Sequence, residues 1–250
     1  MKSKLFTAAL AALVLASWAP KENGYFDNLP QEASPIEIGN KITNRFLEQG
    51  HSQYGSPLRV NEPRTQITYP DVCTWLGGLW FAQETDNKDL TERLKARFEP
   101  LFTNEAYLQP KPNHVDNNVF GAVPLELYLQ TGEERYKTLG MMYADSQWEL
   151  PANWKLEEGE ERQSSMYGDF KDADICQPEQ KEWDDKGYSW QTRFWLDDMY
   201  MITTIQAQAY RVTNDRKYID RAAREMVLYL DSIQQPSGLF YHAPTAPFCW

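Results

Sequence analysis

Cysteine and histidine are scarce in this 250-residue chain, with three of each. Cys73, Cys176 and Cys249 stand apart with no C-x-x-C spacing. That excludes a zinc site built on paired thiolates and a dense disulfide framework, leaving room for one disulfide in an oxidising compartment. Positive charge is also short: 25 Lys and Arg face 36 Asp and Glu, for a net charge of −11. A nucleic-acid partner is therefore excluded, because neutralising phosphates takes a surplus of basic side chains on one face. Long hydrophobic runs are missing except at residues 5–16, which follow Lys2 and Lys4 and precede the small residues Ala16, Ser17 and Ala19. This run is well short of the roughly 20 residues that span a bilayer and has the layout of an export signal over residues 1–19. No cysteine follows it to carry a lipid. Residues 20–250 are expected to form one soluble domain, periplasmic or secreted, with no membrane partner after signal removal.

Alternating strand patterns are lacking too, and helical periodicity takes their place. Apolar residues recur at helical spacing over residues 36–49, 71–84, 89–102, 116–130, 133–148, 190–212 and 215–234. Short polar turns join neighbouring segments, with Gly132 and Asn214 placed as helix stops. The fold class is all-α, built of helical hairpins. These hairpins repeat: Tyr128, Thr131, Gly132, Glu133, Arg135 and Tyr136 reappear as Tyr210, Thr213, Asn214, Asp215, Lys217 and Tyr218. A weaker copy precedes them, in which Leu79, Thr85, Asp89 and Leu90 stand for Leu125, Thr131, Arg135 and Tyr136. One such unit cannot bury its apolar face alone, so the hairpins must stack into a solenoid or close into a ring.

The repeat places Asp116 opposite Asp198, beside Asp197, with Asp71 in a similar place in the earlier copy. In a ring these acids gather at one mouth, where helix N-termini favour bound anions. Residues 151–188 fit no hairpin and read as an inserted loop, with acids at Glu157, Glu158, Glu160 and Glu161. Asp169, Asp172 and Asp174 lack the glycine and closing glutamate of a calcium loop, so no metal is expected there. Aromatics form 14% of the chain, with nine tryptophans, which suits sugar stacking and core packing equally.

The segment WLDDMYM at 195–201 sets Asp197 and Asp198 among bulky apolar residues in the middle of the expected helix over residues 190–212. Periodicity alone leaves open whether they are catalytic or are structural partners of Arg193. That stretch, then TNDRKY, SGLFYHAP and the terminal Trp250, preceded by HVDNNVFGAVPLELYLQTGEERY, resembles the unsaturated glucuronyl and rhamnogalacturonyl hydrolases of glycoside hydrolase families 88 and 105. The resemblance covers about residues 71–250 and leans to family 105. It implies an (α/α)6 barrel, incomplete in this chain, which reads as the N-terminal part of a longer enzyme. It also implies Asp197, two residues after Trp195, as general acid and base, with Asp116 assisting. His242 matches a family histidine at the sugar, and Trp250 matches the opening of a W-x-R-G-N segment. Trp195 and Asp198 complete the expected substrate-binding set.

The implied substrate is a pectin-derived oligosaccharide with a 4,5-unsaturated uronic acid at its non-reducing end, and no cofactor is implied. Burial among Trp195, Met199 and Tyr200 is expected to raise the pKa of Asp197 towards neutrality, as such a task requires. Two alternatives stand beside this reading. One is an inverting glycosidase on the same barrel, for which Asp116 and Asp197 should stand roughly 6.5 to 9.5 Å apart. The other is a non-catalytic glycan-binding protein.

Overall fold

The computed structural model of the chain describes residues 29–51, 65–150 and 178–244. The expected export signal, Asp169, Asp172, Asp174 and Trp250 lie outside the described residues. Residues 1–41 form a separate unit, and residues 42–250 hold the core. Among the described residues no helix is long and apolar enough to cross a membrane.

Every regular element of the core is helical, apart from one isolated bridge between Gln234 and Phe240. Helix α1 is Pro35–Glu48, α2 Tyr69–Glu84, α3 Lys88–Phe98, α4 Val115–Asn118, α5 Ala122–Thr131, α6 Glu134–Ser146, α7 Pro178–Asp185, α8 Asp198–Thr213 and α9 Arg216–Ile233. Three hairpins are present among the described residues: α2 with α3, α5 with α6, and α8 with α9. Helix α5 packs on both α2 and α8, so the three first helices lie side by side.

The repeat is reproduced bond for bond at the hairpin turns. Gly132 and Asn214 are both left-handed, with φ of 74° and 56°. Their amides donate to the carbonyls of Tyr128 and Tyr210, each at 2.7 Å. Thr131 and Thr213 each donate back to the carbonyl four residues earlier, and each hydroxyl accepts from the amide two residues on. Thr85, the weaker copy, donates to the carbonyl of Phe81 in the same way. Identical local chemistry therefore ends each first helix at the same height.

Repeat-equivalent side chains also meet in space. Glu126 of α5 is wholly buried and accepts hydrogen bonds from Trp80 of α2, 46 residues before it, at 3.0 Å and from Gln208 of α8, 82 residues after it, at 2.7 Å. Burial raises the pKa of Glu126, but bonds from Gln130, Gln208 and Trp80 outweigh it and hold the pKa below the ordinary value. Equivalent positions meet in this way when successive hairpins stand side by side in register, as they do in a solenoid and in a ring alike.

Close packing within the middle hairpin depends on two glycines. A Cβ on Gly121 would lie 2.5 Å from the Tyr143 Cβ and 2.7 Å from Ile205 Cδ1, and Gly140 faces Leu125 equally tightly. Gly121→Ala is expected to cost about 2 kcal/mol through overpacking, read as a lowered urea midpoint at unchanged slope. An unchanged midpoint would show that α6 can retreat freely.

Two expected boundaries are corrected. The 151–188 insertion is not wholly loop, because its end carries α7, whose Glu182 pairs with Lys186 just beyond the helix at 2.5 Å and whose Trp183 sets its ring against Phe194. The helix expected over 190–212 begins only at Asp198, so Asp197 and Asp198 stand at a helix N-terminus rather than in mid-helix. The Ser189, Arg193 and Phe194 amides before them are taken up by side chains of α9.

Candidate active site

Asp197 is the N-cap of α8 and Asp198 its first residue. The Asp198 carboxylate turns back to accept the Trp195 amide at 3.2 Å, just as Asp71 turns back to the Thr68 amide at 2.9 Å in the first hairpin. Asp116 lies in α4, behind its N-cap His114. These two helix starts meet across Arg193. Its Nε donates to Asp198 Oδ1 at 2.8 Å and its Nη2 to Asp116 Oδ1 at 2.9 Å, while Nη1 is 3.1 Å from His114 Nε2. The guanidinium also lies over the Trp195 ring, 4.6 Å from its centre.

Asp197 differs from its neighbours. Its nearest oxygen stands 4.0 Å from Arg193 Nη2, beyond hydrogen-bond reach, and its Oδ1 is buried with no hydrogen-bond partner among the described residues. The side chain as a whole is 36% exposed, whereas that of Asp198 is 0% exposed. One oxygen from each of Asp116, Asp197 and Asp198 lies within 4.8 Å of the others, an arrangement able to hold a cation. Arg193 already supplies positive charge there. Burial pushes the Asp198 carboxyl up to about 7 against the opposing pull of Arg193, and Asp116 is raised for the same reason. Asp198 is therefore protonated in part of the molecules near neutral pH.

The rim comes from other helices. Tyr69, the first residue of α2, has its phenol pKa raised by burial and then by the charges of Asp116 and Asp197. Burial, and then the neighbouring Cys73 of α2, raise the phenol pKa of Tyr200 in α8. His242 is exposed, its carbonyl accepts the Leu196 amide at 2.7 Å, and its ring meets the Trp195 ring edge-on at 6.0 Å. A groove of about 440 Å³ lined by Trp80, Thr203, Gln208, Arg211 and Met226 includes none of these residues.

A family model for Glycosyl Hydrolase Family 88 matches residues 38–246. The chain belongs to glycosyl hydrolase family 88. It is accordingly a glycoside hydrolase acting on a carbohydrate, and its helical hairpins are those of the six-hairpin glycosidase fold. No protein of curated function matches the chain.

Within this family 88 chain, Asp116, Asp197, Asp198, Trp195 and His242 are brought together as the sequence placed them. Asp198, expected at the sugar, is wholly buried, where it accepts from Arg193, the Tyr229 hydroxyl and the Trp195 amide. His114 was passed over in sequence and lies in the cluster. Its Nδ1 is 3.2 Å from the Asp116 amide and its Nε2 is 3.1 Å from Arg193. A neutral imidazole has one nitrogen lone pair, so it accepts from one of these donors at a time. Arg193 was weighed only as a salt-bridge partner, because a lone arginine before W-x-D carries no periodic signal.

Glu225 of α9, also unnoticed in sequence, is buried below residues 189–192 and accepts the Ser189 amide at 3.1 Å. Its other oxygen contacts the Thr192 hydroxyl, which donates its single proton to the Ser189 carbonyl at 2.7 Å. A protonated Glu225 completes that contact, and burial pushes its pKa up to about 7. An acid whose folded pKa exceeds its unfolded value binds more protons when folded, so its contribution falls as pH rises from about 4.5 through 7. Glu225→Gln keeps both contacts without the titration. It is expected to lessen the loss of stability between pH 5 and pH 8 by about 3 kcal/mol at most, read by chemical denaturation at the two pH values. Equal pH dependence in the two proteins would mean that Glu225 is ionised throughout.

Proposed function

We propose that this glycoside hydrolase releases a 4,5-unsaturated galacturonyl residue from the non-reducing end of pectin-derived rhamnogalacturonan oligosaccharides, the reaction of family 105-type unsaturated rhamnogalacturonyl hydrolases. The observation that carries the reading is the division of labour among the acids. Arg193 hydrogen-bonds Asp116 and Asp198 and stands 4.0 Å from Asp197, whose partly exposed side chain is left to meet the substrate.

The double bond between ring carbons four and five is a vinyl ether. Asp197 delivers a proton to carbon four, leaving an oxocarbenium-like centre at carbon five. Water adds at carbon five and returns a proton to Asp197. The hemiketal then opens and frees the neighbouring sugar. Asp116 supports the site, Tyr69, Trp195 and His242 offer faces and edges to the sugar, and the export signal fits an enzyme that meets polysaccharide fragments outside the cytoplasm. The inverting alternative is not favoured, since carboxylate oxygens of Asp116 and Asp197 within 4.8 Å leave little room for a sugar and a water between them.

The test is direct. Wild-type protein is mixed with a lyase-generated unsaturated rhamnogalacturonan disaccharide, and the vinyl-ether ultraviolet absorbance is followed. Decay of that absorbance is expected, with none for Asp197→Asn on the same timescale. Persistence of the absorbance with wild type, with saturated oligosaccharides hydrolysed instead, would overturn the reading.

A further inference from the structure

Helix α9 contributes to the acid cluster from behind through one atom, the Tyr229 hydroxyl. This group is buried and donates to Asp198 Oδ2 at 2.9 Å. It also accepts from the Arg193 amide at 3.3 Å and the Phe194 amide at 3.4 Å. Those two amides belong to the turn that stops the chain from continuing as helix into α8. Phe194 sits there at φ 60°, a left-handed conformation that a non-glycine side chain adopts only under strain. What opposes that strain is visible. The Tyr229 and Trp183 rings pack on Phe194 at 5.2 Å each, and the hydroxyl takes up both amides around the strained bond.

We propose that Tyr229 is a positioning residue of this active site, its hydroxyl tying the strained turn at Phe194 to Asp198 so that the Arg193 guanidinium is aimed between Asp116 and Asp198. The inference rests on the functional reading above and extends it. Without the hydroxyl, two inward-facing amides lose their acceptor and Asp198 loses a donor. The turn then has reason to relax, and Arg193, which starts from that turn, leaves the line that joins the two acids. The groups facing Arg193 and Asp198 are Asp116 and His114 from α4, Asp197 and Trp195 beside them, and Tyr229 from α9. Tyr229 reaches no substrate itself, so its effect belongs to turnover rather than to binding.

Tyr229→Phe keeps the ring against Phe194 and removes only the hydroxyl. Two readouts are taken on the same full chain. The first is kcat and KM on the unsaturated disaccharide, with kcat expected to fall about tenfold and KM to stay within twofold. The second is hydrogen exchange of the Arg193 Nε–H by nitrogen-15 NMR, expected to be slow in wild type, where it is held by Asp198, and clearly faster in the variant. Unchanged kcat, unchanged exchange, or a fall that lies wholly in KM overturns the proposal. If wild type does not turn over the disaccharide, the functional reading falls, and the exchange experiment still decides whether Tyr229 holds Arg193. Should the variant not fold, wild-type amide exchange decides: Arg193 and Phe194 amides exchanging as fast as those of an open turn would overturn it.

Discussion

Asp197→Asn should lower turnover of the unsaturated disaccharide by about a hundredfold to ten-thousandfold, the range general acid–base groups contribute, while circular dichroism and melting stay near wild type. The large effect follows from the position of this carboxyl. Asp197 Oδ1 has no hydrogen-bond partner among the described residues and the side chain is partly open to solvent, so the amide replaces a group on which the fold does not lean. An amide cannot hand a proton to carbon four or recover one from water. A variant that kept more than a tenth of wild-type turnover would move the acid role to another carboxyl of the cluster.

Arg193→Met should be the most destabilising single change at the site, by about 3–5 kcal/mol, the cost of stranding a buried charge by removing its partner. Asp198 is wholly enclosed, and Arg193 is the cation it faces at 2.8 Å. The penalty should also depend on pH in a set direction. Burial already lifts Asp198 to about 7 with Arg193 opposing it, so loss of the guanidinium lifts it further, and Asp116 with it. Both acids then bind protons more tightly folded than unfolded. The variant can regain part of its stability at pH 5 by protonating them and loses it as pH rises towards 8. Urea unfolding of both proteins at pH 5 and pH 8 measures this. A deficit of equal size at both pH values would mean that the cation does not compensate these carboxyls.

Much of the architecture was legible in the order of residues because its causes are local. Helical spacing of apolar residues marks α2, α3, α6 and α9 to within a few positions. The Thr-Gly and Thr-Asn hairpin stops act through bonds spanning four residues, so any copy of that short sequence rebuilds the same turn. The repeat offsets carried further than local structure: Asp116 and Asp198, matched by offset alone, share one guanidinium, and Trp80, Glu126 and Gln208 meet likewise. Equivalent positions converge whenever hairpins are set around an axis.

The arrangement within the cluster is set only by contacts distant in sequence. Glu225 takes up the Ser189 amide and Tyr229 those of Arg193 and Phe194, and these contacts hold the chain out of the helix, which starts at Asp198 instead of eight residues earlier. No periodic rule registers such an interruption, because its cause lies more than 30 residues downstream. The shift of helix start decides which adjacent acid turns inward and which remains open. The sequence by itself therefore determined the helical class, the repeating turns and which acids gather, since these follow from short-range geometry repeated along the chain. Tertiary structure alone decided that Arg193 is shared, that Asp198 is sealed and that Asp197 is left accessible, because each depends on where the buried face of α9 meets a loop far from it in the chain.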